Sequence, residues 1–197
     1  MERNNLYPIF LKMYNLQTLI IGGGNVALEK LSFLLKSSPN ANVQMVAPFF
    51  RKEAIALANQ FNVKMINISY DESFLNNKDI VIAATDKPEV NKQIYKDAKS
   101  RNLLVNVADT PDLCDFYLGG IVTKGNIKIA ISTNGKSPTM AKRLRQFFEE
   151  VIPDEIDDLA QNLNAFRKTI KGDFEEKVQK LNKITKEFLT EKRKKND

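Results

Sequence analysis

Apolar and β-branched residues cluster in five short runs along the first half of the chain, at Leu16–Ile21, Val43–Ala47, Val63–Ile68, Asp79–Ala84 and Leu103–Ala108. Between them lie segments with helical periodicity, Asn25–Lys36, Arg51–Phe61 and Pro88–Arg101. Strands that are apolar almost throughout must be buried on both faces, and their alternation with helices predicts an α/β fold around a parallel sheet. The short Asp71–Asn77 connection has room for no more than a helical turn.

The pattern changes after Asp112. Gly120–Lys124 and Ile127–Thr133 flank Gly125-Asn126, which predicts a β-hairpin. A loop, Thr133–Lys136, leads to Ser137-Pro138, an N-cap followed by proline at the first helical position. The helix that starts there spaces Met140, Leu144, Phe147, Phe148 and Val151 on one face, which is expected to be buried, and Pro153 ends it. Two charged helices follow. One is expected to run from Asp154 to Lys171 with Gly172 as its cap. The other is expected from Phe174 to about Lys192, with Val178, Leu181, Ile184, Phe188 and Leu189 on its apolar face. The basic end, Lys192–Lys195, reads as a solubilising tail.

The first apolar run stops at Gly22-Gly23-Gly24, and a helix begins at once with Asn25-Val26-Ala27. Glycine permits a tight turn and close backbone approach, and the helix start aims unpaired N–H groups at whatever lies over the turn. Gly22-x-Gly24-x-x-Ala27, placed between strand and helix, fits the fingerprint of a dinucleotide pyrophosphate site. After the second strand such folds often carry an acid for the adenosine ribose, but the chain here reads Ala47-Pro48-Phe49-Phe50-Arg51. Contacts are left to the Pro48 and Phe49 backbone, and Arg51 keeps NADP open beside NAD. Thr85, in Ala83-Ala84-Thr85-Asp86, either bonds the cofactor or caps the following helix. Asp109 closes the fifth strand. It is either a proton acceptor at the ligand-binding rim or the first residue of an Asp-Thr-Pro turn bonded to its own backbone.

Charge and composition narrow the chemistry. The 197 residues carry a net charge of +6 and include no histidine. Proton transfer near neutral pH therefore falls to carboxylates, lysine, tyrosine, water or the single Cys114, and a Cys/His metal site is not expected. One cysteine forms no intramolecular disulfide, in keeping with a reducing compartment. No apolar run approaches the roughly 20 residues that span a bilayer, and Met1–Tyr7 lacks the apolar core of a secretion signal. Neither a membrane nor nucleic acid is an expected partner, and a cytoplasmic location follows. Between Phe116 and Phe148 there is no acid, but Lys124, Lys128, Lys136, Lys142, Arg143 and Arg145 all lie there. Such a window is either a solvated basic face or a site for an anionic ligand.

Taken with Tyr7-Pro8-Ile9-Phe10, Asn106-Val107-Ala108-Asp109, Asp112–Phe116 and Ile129–Thr133 followed by Gly135-Lys136-Ser137-Pro138, the motifs resemble the precorrin-2 dehydrogenase family, also the N-terminal module of siroheme synthases. The resemblance covers about residues 6–150. It implies a Rossmann-like domain over 1–113, a dimerisation hairpin and helix over 114–150, and a helical module over 151–197. It implies NAD-dependent oxidation of the tetrapyrrole precorrin-2 to sirohydrochlorin by a homodimer. Asp109 matches the functional aspartate. Gly22, Gly24, Asn25, Val26, Pro48, Phe49 and Thr85 are the expected cofactor residues, and Thr133, Lys136, Ser137, Arg143 and Lys124 the candidates for the substrate's carboxylates. Two positions depart from the family pattern: Gly119 stands where proline is usual, and Lys124 where arginine is common. With no methyltransferase module in these residues, precorrin-2 is expected to be supplied from elsewhere. Two alternatives remain: a bifunctional enzyme that also inserts ferrous iron into sirohydrochlorin, and a non-enzymatic NAD(H)-sensing module.

Overall fold

The computed structural model describes residues 3–186. The elements are β1 (Gln17–Ile21), α1 (Asn25–Ser37), β2 (Asn42–Ala47), α2 (Lys52–Gln60), β3 (Lys64–Asn67), β4 (Ile80–Ala83), α3 (Pro88–Ser100), β5 (Leu104–Val107), β6 (Gly120–Lys124), β7 (Ile127–Ile131), α4 (Pro138–Val151), α5 (Ile156–Thr169) and α6 (Phe174–Thr185). The Asp71–Asn77 connection holds one 3-10 turn, Glu72–Leu75, whose Ser73 N–H donates to the Asp71 carboxylate. The chain divides into two compact units. The first runs to Ile121 and takes in Ala130–Lys142; the second comprises Val122–Ile129 and the chain from Arg143 onward.

In the first unit β1–β5 form one parallel sheet in the order β3-β2-β1-β4-β5. The register sets Ile20 beside Met45 on one flank and Ile82 on the other. Side chains alternate across the pleat, so Ile20, Met45 and Ile82 pack against α1 and α2 through Ala27, Leu31, Leu35 and Ala58. Leu19, Ile21, Val46, Val81 and Val105 face the other way, toward Ile94 and Ala98 of α3. Both faces are covered, which is why the strands read as unbroken apolar runs. This is the α/β, Rossmann-like arrangement expected.

β6 and β7 form a two-stranded sheet, and Gly125 supplies the positive φ of the turn between them. In the second unit the Asp157 carboxylate accepts hydrogen bonds from the Asn126 backbone and side-chain nitrogens, which pull its pKa down. α4 begins as predicted, with the Met140 N–H donating to the Ser137 hydroxyl at 3.2 Å.

Two expectations are corrected. The apolar face of α4 is not buried: Met140, Phe147 and Val151 are exposed, and Leu144 and Phe148 half-buried. Helical spacing decides which residues share a face but not what covers it. α5 ends at Thr169 rather than Lys171, because Ile170 turns to an extended conformation and buries its side chain, so Gly172 is not the cap. On α6, Val178 and Leu181 are half-buried and Ile184 is exposed; Phe188, Leu189 and the Lys192–Lys195 tail lie outside the described residues.

Candidate nucleotide site

The sheet order reverses between β1 and β4, and a crevice opens there at the carboxyl ends of the strands. Three backbone hydrogen bonds align those ends: Gly22 N–H to the Val46 oxygen, Ala84 N–H to the Ile21 oxygen, and Ala108 N–H to the Ala83 oxygen, at 2.8–2.9 Å. Over this edge lies a cleft of about 640 Å³, well within the usual size of cofactor sites.

The glycine turn forms its floor, and each glycine has a separate reason. Gly22 adopts φ +132° with the Ala84 carbonyl packed against it, and Gly23 lies against the carbonyl of Phe49. Neither position has room for a Cβ. Gly24 faces open space within the cleft and is the N-cap of α1. No side chain caps that helix, whose first residues Asn25 and Val26 line the cleft. An open glycine, uncapped amides and a positive dipole end suit a pyrophosphate, so these residues fit a dinucleotide.

Of the expected cofactor residues, Gly22, Gly24, Asn25, Val26, Pro48, Phe49 and Thr85 all line the cleft. The Thr85 hydroxyl is engaged within the protein: it lies 2.7 Å from Asn91 Oδ1 and accepts from the Lys87 N–H at 3.2 Å. Its loop is therefore braced to α3 through Asn91, but Thr85 does not cap that helix, whose N-cap is Lys87 with no side-chain cap bond. The Arg51 guanidinium lies 3.4 Å from Glu53, both at the surface.

Asp109 stands two residues beyond β5, in the turn that follows the strand next to β4, and outside the cleft lining. It is exposed, and its carboxylate has no hydrogen-bond or ion-pair partner among the described residues. The Thr110 N–H donates to the Val107 oxygen at 3.2 Å and closes a tight turn with Asp109 in third place at φ +58°. Beneath the turn the Cys114 sulfur accepts from the Val107 N–H, and the Asn106 amide donates to the Phe116 carbonyl at 2.8 Å.

The candidates for substrate carboxylates are divided between the two units, Thr133, Lys136 and Ser137 in the first and Lys124 and Arg143 in the second. Thr133 and Ser137 belong to the loop before α4, where the Ser137 N–H donates to the Thr133 hydroxyl, and the Lys136 N–H closes the same loop onto the Thr133 carbonyl. In the second unit the Lys124 ammonium pairs with Asp154 at 2.7 Å, and Arg143 donates to Gln146 on its own helix.

Sequence reasoning missed one wall of the cleft. Ser69 and Tyr70 follow β3, and Val90 and Gln93 lie on α3. The Tyr70 hydroxyl donates to one Asp97 oxygen at 2.9 Å and the Gln93 amide to the other at 2.7 Å, so one carboxylate orients two cleft side chains. Burial, and then the Asp97 carboxylate, push the Tyr70 pKa above its ordinary value. The available signal was positional: Gln93 and Asp97 are four apart on a helix, and Tyr70 follows a strand at the ligand edge.

Comparison with known proteins agrees with this geometry. Residues 9–120 match a family model described as putative NAD(P)-binding, and residues 124–150 match one described as sirohaem biosynthesis protein central. The siroheme synthase of Pseudoalteromonas translucida is 42% identical over 167 residues, covering 85% of this chain and 35% of that protein. That of Psychrobacter arcticus is 39% identical over 168 residues, covering 85% and 30%. The chain thus spans about a third of the length of these relatives. Among solved structures, SirC, a precorrin-2 dehydrogenase, shares the fold with a TM-score of 0.74 at 21% identity, over 91% of this chain and 89% of that one.

Proposed function

The chain belongs to the putative NAD(P)-binding family, and from that premise we propose that it oxidises precorrin-2 to sirohydrochlorin, with NAD⁺ as the oxidant, on the route to siroheme. The observation that carries the reading is a nucleotide cleft beside which the neighbouring strand β5 leads into a turn holding Asp109, exposed and with its carboxylate unpartnered among the described residues. The relatives' names and the match over residues 124–150 supply the substrate class.

When bound, the nicotinamide supplies the hydride acceptor. The chain does the rest. Gly24 and the start of α1 would hold the pyrophosphate, and the Pro48 and Phe49 backbone would serve the adenosine ribose. Asp109 accepts the proton that leaves the macrocycle as its carbon gives up hydride, which balances a two-electron, two-hydrogen oxidation. Thr133, Lys136, Ser137, Lys124 and Arg143 are the proposed ligands of the eight substrate carboxylates, Lys124 by exchanging Asp154 for substrate.

The reading includes a homodimer formed through the exposed Met140, Phe147 and Val151 face of α4. It also includes a cytoplasmic setting, where the free Cys114 stays reduced. Among the described residues no helix is long and apolar enough to cross a membrane. The test is incubation of the purified chain with precorrin-2 and NAD⁺. Stoichiometric NADH and the sirohydrochlorin spectrum are expected; tight NADH binding with no tetrapyrrole turnover would leave only a nucleotide-binding module.

A further inference from the structure

The wall of the cleft built by Tyr70 and Gln93 is chemically one-sided, and Asp97 makes it so. Tyr70 follows β3, Gln93 lies on α3, and both line the cleft. An ionised carboxylate accepts hydrogen bonds and has no proton to give. Gln93 must therefore turn its amide nitrogen toward Asp97, where Nε2 donates to Oδ1 at 2.7 Å. The Tyr70 hydroxyl points its single proton at Oδ2, at 2.9 Å. What each has left is an acceptor: Oε1 of Gln93 and the lone pairs of the Tyr70 oxygen. Neither meets a donor among the described residues. Burial, and then the Asp97 carboxylate, raise the Tyr70 pKa, so the hydroxyl keeps that proton. Ser69 also lines the cleft, but a rotatable hydroxyl serves donors and acceptors alike and does not choose between them. The ammonium-bearing Lys87 starts at the N-cap of α3, about 9 Å along the helix axis from Gln93.

The sheet order β3-β2-β1-β4-β5 puts Tyr70 on the β2–β3 side of the glycine turn, whereas Asp109 follows β5 on the other side. A dinucleotide with its pyrophosphate at Gly24 and its nicotinamide toward Asp109 turns its base to this wall. Adenine carries an amino group with two N–H donors at position 6. Hypoxanthine has the same ring system but an oxygen at that place. Two acceptors meet two donors in the first case and a third acceptor in the second.

We propose that Tyr70 and Gln93 select the base of the dinucleotide by its 6-amino group, and that Asp97 is the positioning residue that sets both as acceptors. The proposal rests on the reading of the cleft as a dinucleotide site and names what that site discriminates.

Asp97→Asn is the informative variant, because an amide has one acceptor end and one donor end. If its oxygen stays with Tyr70, its nitrogen turns Gln93 around, and Gln93 offers N–H to the cleft. If its oxygen stays with Gln93, its nitrogen donates to Tyr70 and frees the hydroxyl proton for the cleft. Either way one donor enters the wall.

The test is titration of the full chain with NADH and with its hypoxanthine analogue, followed by the fluorescence of the dihydronicotinamide that both carry. The analogue is expected to bind at least about tenfold more weakly, the cost of facing acceptor with acceptor. Asp97→Asn should narrow that ratio at least threefold, chiefly by tightening the analogue. Tyr70→Phe deletes one acceptor and keeps the ring, so it should narrow the ratio as well and decides the matter if Asp97→Asn does not fold. A wild-type ratio below tenfold overturns the proposal. So does a folded variant that weakens both nucleotides in proportion, which is what a merely structural role would give. In those cases NADH still binds and the cleft keeps its assignment, whereas failure of both nucleotides to bind would remove the assignment and the proposal together.

Discussion

The carbonyl oxygen of Phe49 rests against the α-carbon of Gly23, so the corner that follows β2 is seated on the turn that follows β1. Only hydrogen fits at that contact. Gly24, the next residue, has nothing within 4 Å of the place a Cβ would take. Adjacent glycines therefore serve different ends: the first allows the fold to close, and the second leaves room for a ligand.

Substituting them separately should split stability from binding. Gly23→Ala forces backbone apart and should cost about 3 kcal/mol or more, seen as a large fall in melting temperature. Gly24→Ala keeps an ordinary φ of −86° and should leave thermal stability nearly unchanged. Its methyl group projects into the cleft, so the NADH dissociation constant should rise at least tenfold. Equal effects of the two substitutions would contradict this division.

Asp109 sits at φ +58°, a conformation that asparagine tolerates and alanine resists. Asp109→Asn is therefore the informative variant, since it removes the charge without straining the turn. Turnover of precorrin-2 should fall about 100-fold or more. NADH affinity should hold, because Asp109 lies outside the cleft lining. Full turnover in this variant would remove the carboxylate from the chemistry.

Thr18 is 1% exposed on β1, and its hydroxyl finds no partner among the described residues. Thr18→Val replaces that hydroxyl with a methyl group of similar size between Val43 and Ile80. The variant should gain about 1 kcal/mol and melt about 2–4 °C higher. A lower melting temperature would mean that the hydroxyl has a partner after all.

The Cys114 thiol lies among the Asn106 amide and the backbone of Val107 and Thr110. Burial raises its pKa, and the Val107 N–H only partly offsets that. The folded protein thus favours the neutral thiol. Its contribution to stability is complete below the unfolded pKa and is lost as pH rises through the folded one. At pH about 8, where a free cysteine is partly thiolate, native Cys114 should label with a thiol reagent at least tenfold more slowly than in denaturant. Matching rates would show the site to be open.

If the α4 face carries the dimer, replacing Phe147, 54% exposed at its centre, with glutamate should halve the mass measured by light scattering at micromolar concentration. The first unit's cleft should still bind NADH. A wild-type chain that is already monomeric would refute the dimer.

Much of this molecule could be read along the chain. Five apolar runs became five parallel strands, the glycine triplet became the floor of the cleft, and Ser137-Pro138 opened a helix. All depend on local preferences: unbroken apolar runs for strands buried on both faces, glycine where backbone meets backbone, a hydroxyl at a helix start. The Gln93–Asp97 spacing could be read, but their link to Tyr70 could not, because Tyr70 lies 23 and 27 positions before them and is joined to them only by the sheet order. Nor could the exposure of the α4 face, since periodicity selects a stripe without supplying its cover.

The order of residues by itself determined the elements, the phosphate-binding turn and the carboxylate at the end of the fifth run, because each is encoded within a few positions. Tertiary structure alone decided that β4 lies beside β1, which opens the crevice. It also decided that Asp109 stands in the turn after the adjoining strand and that the Arg51 backbone is pinned at the glycine turn. These facts come from hydrogen bonds between segments distant in the chain, and no local preference specifies them.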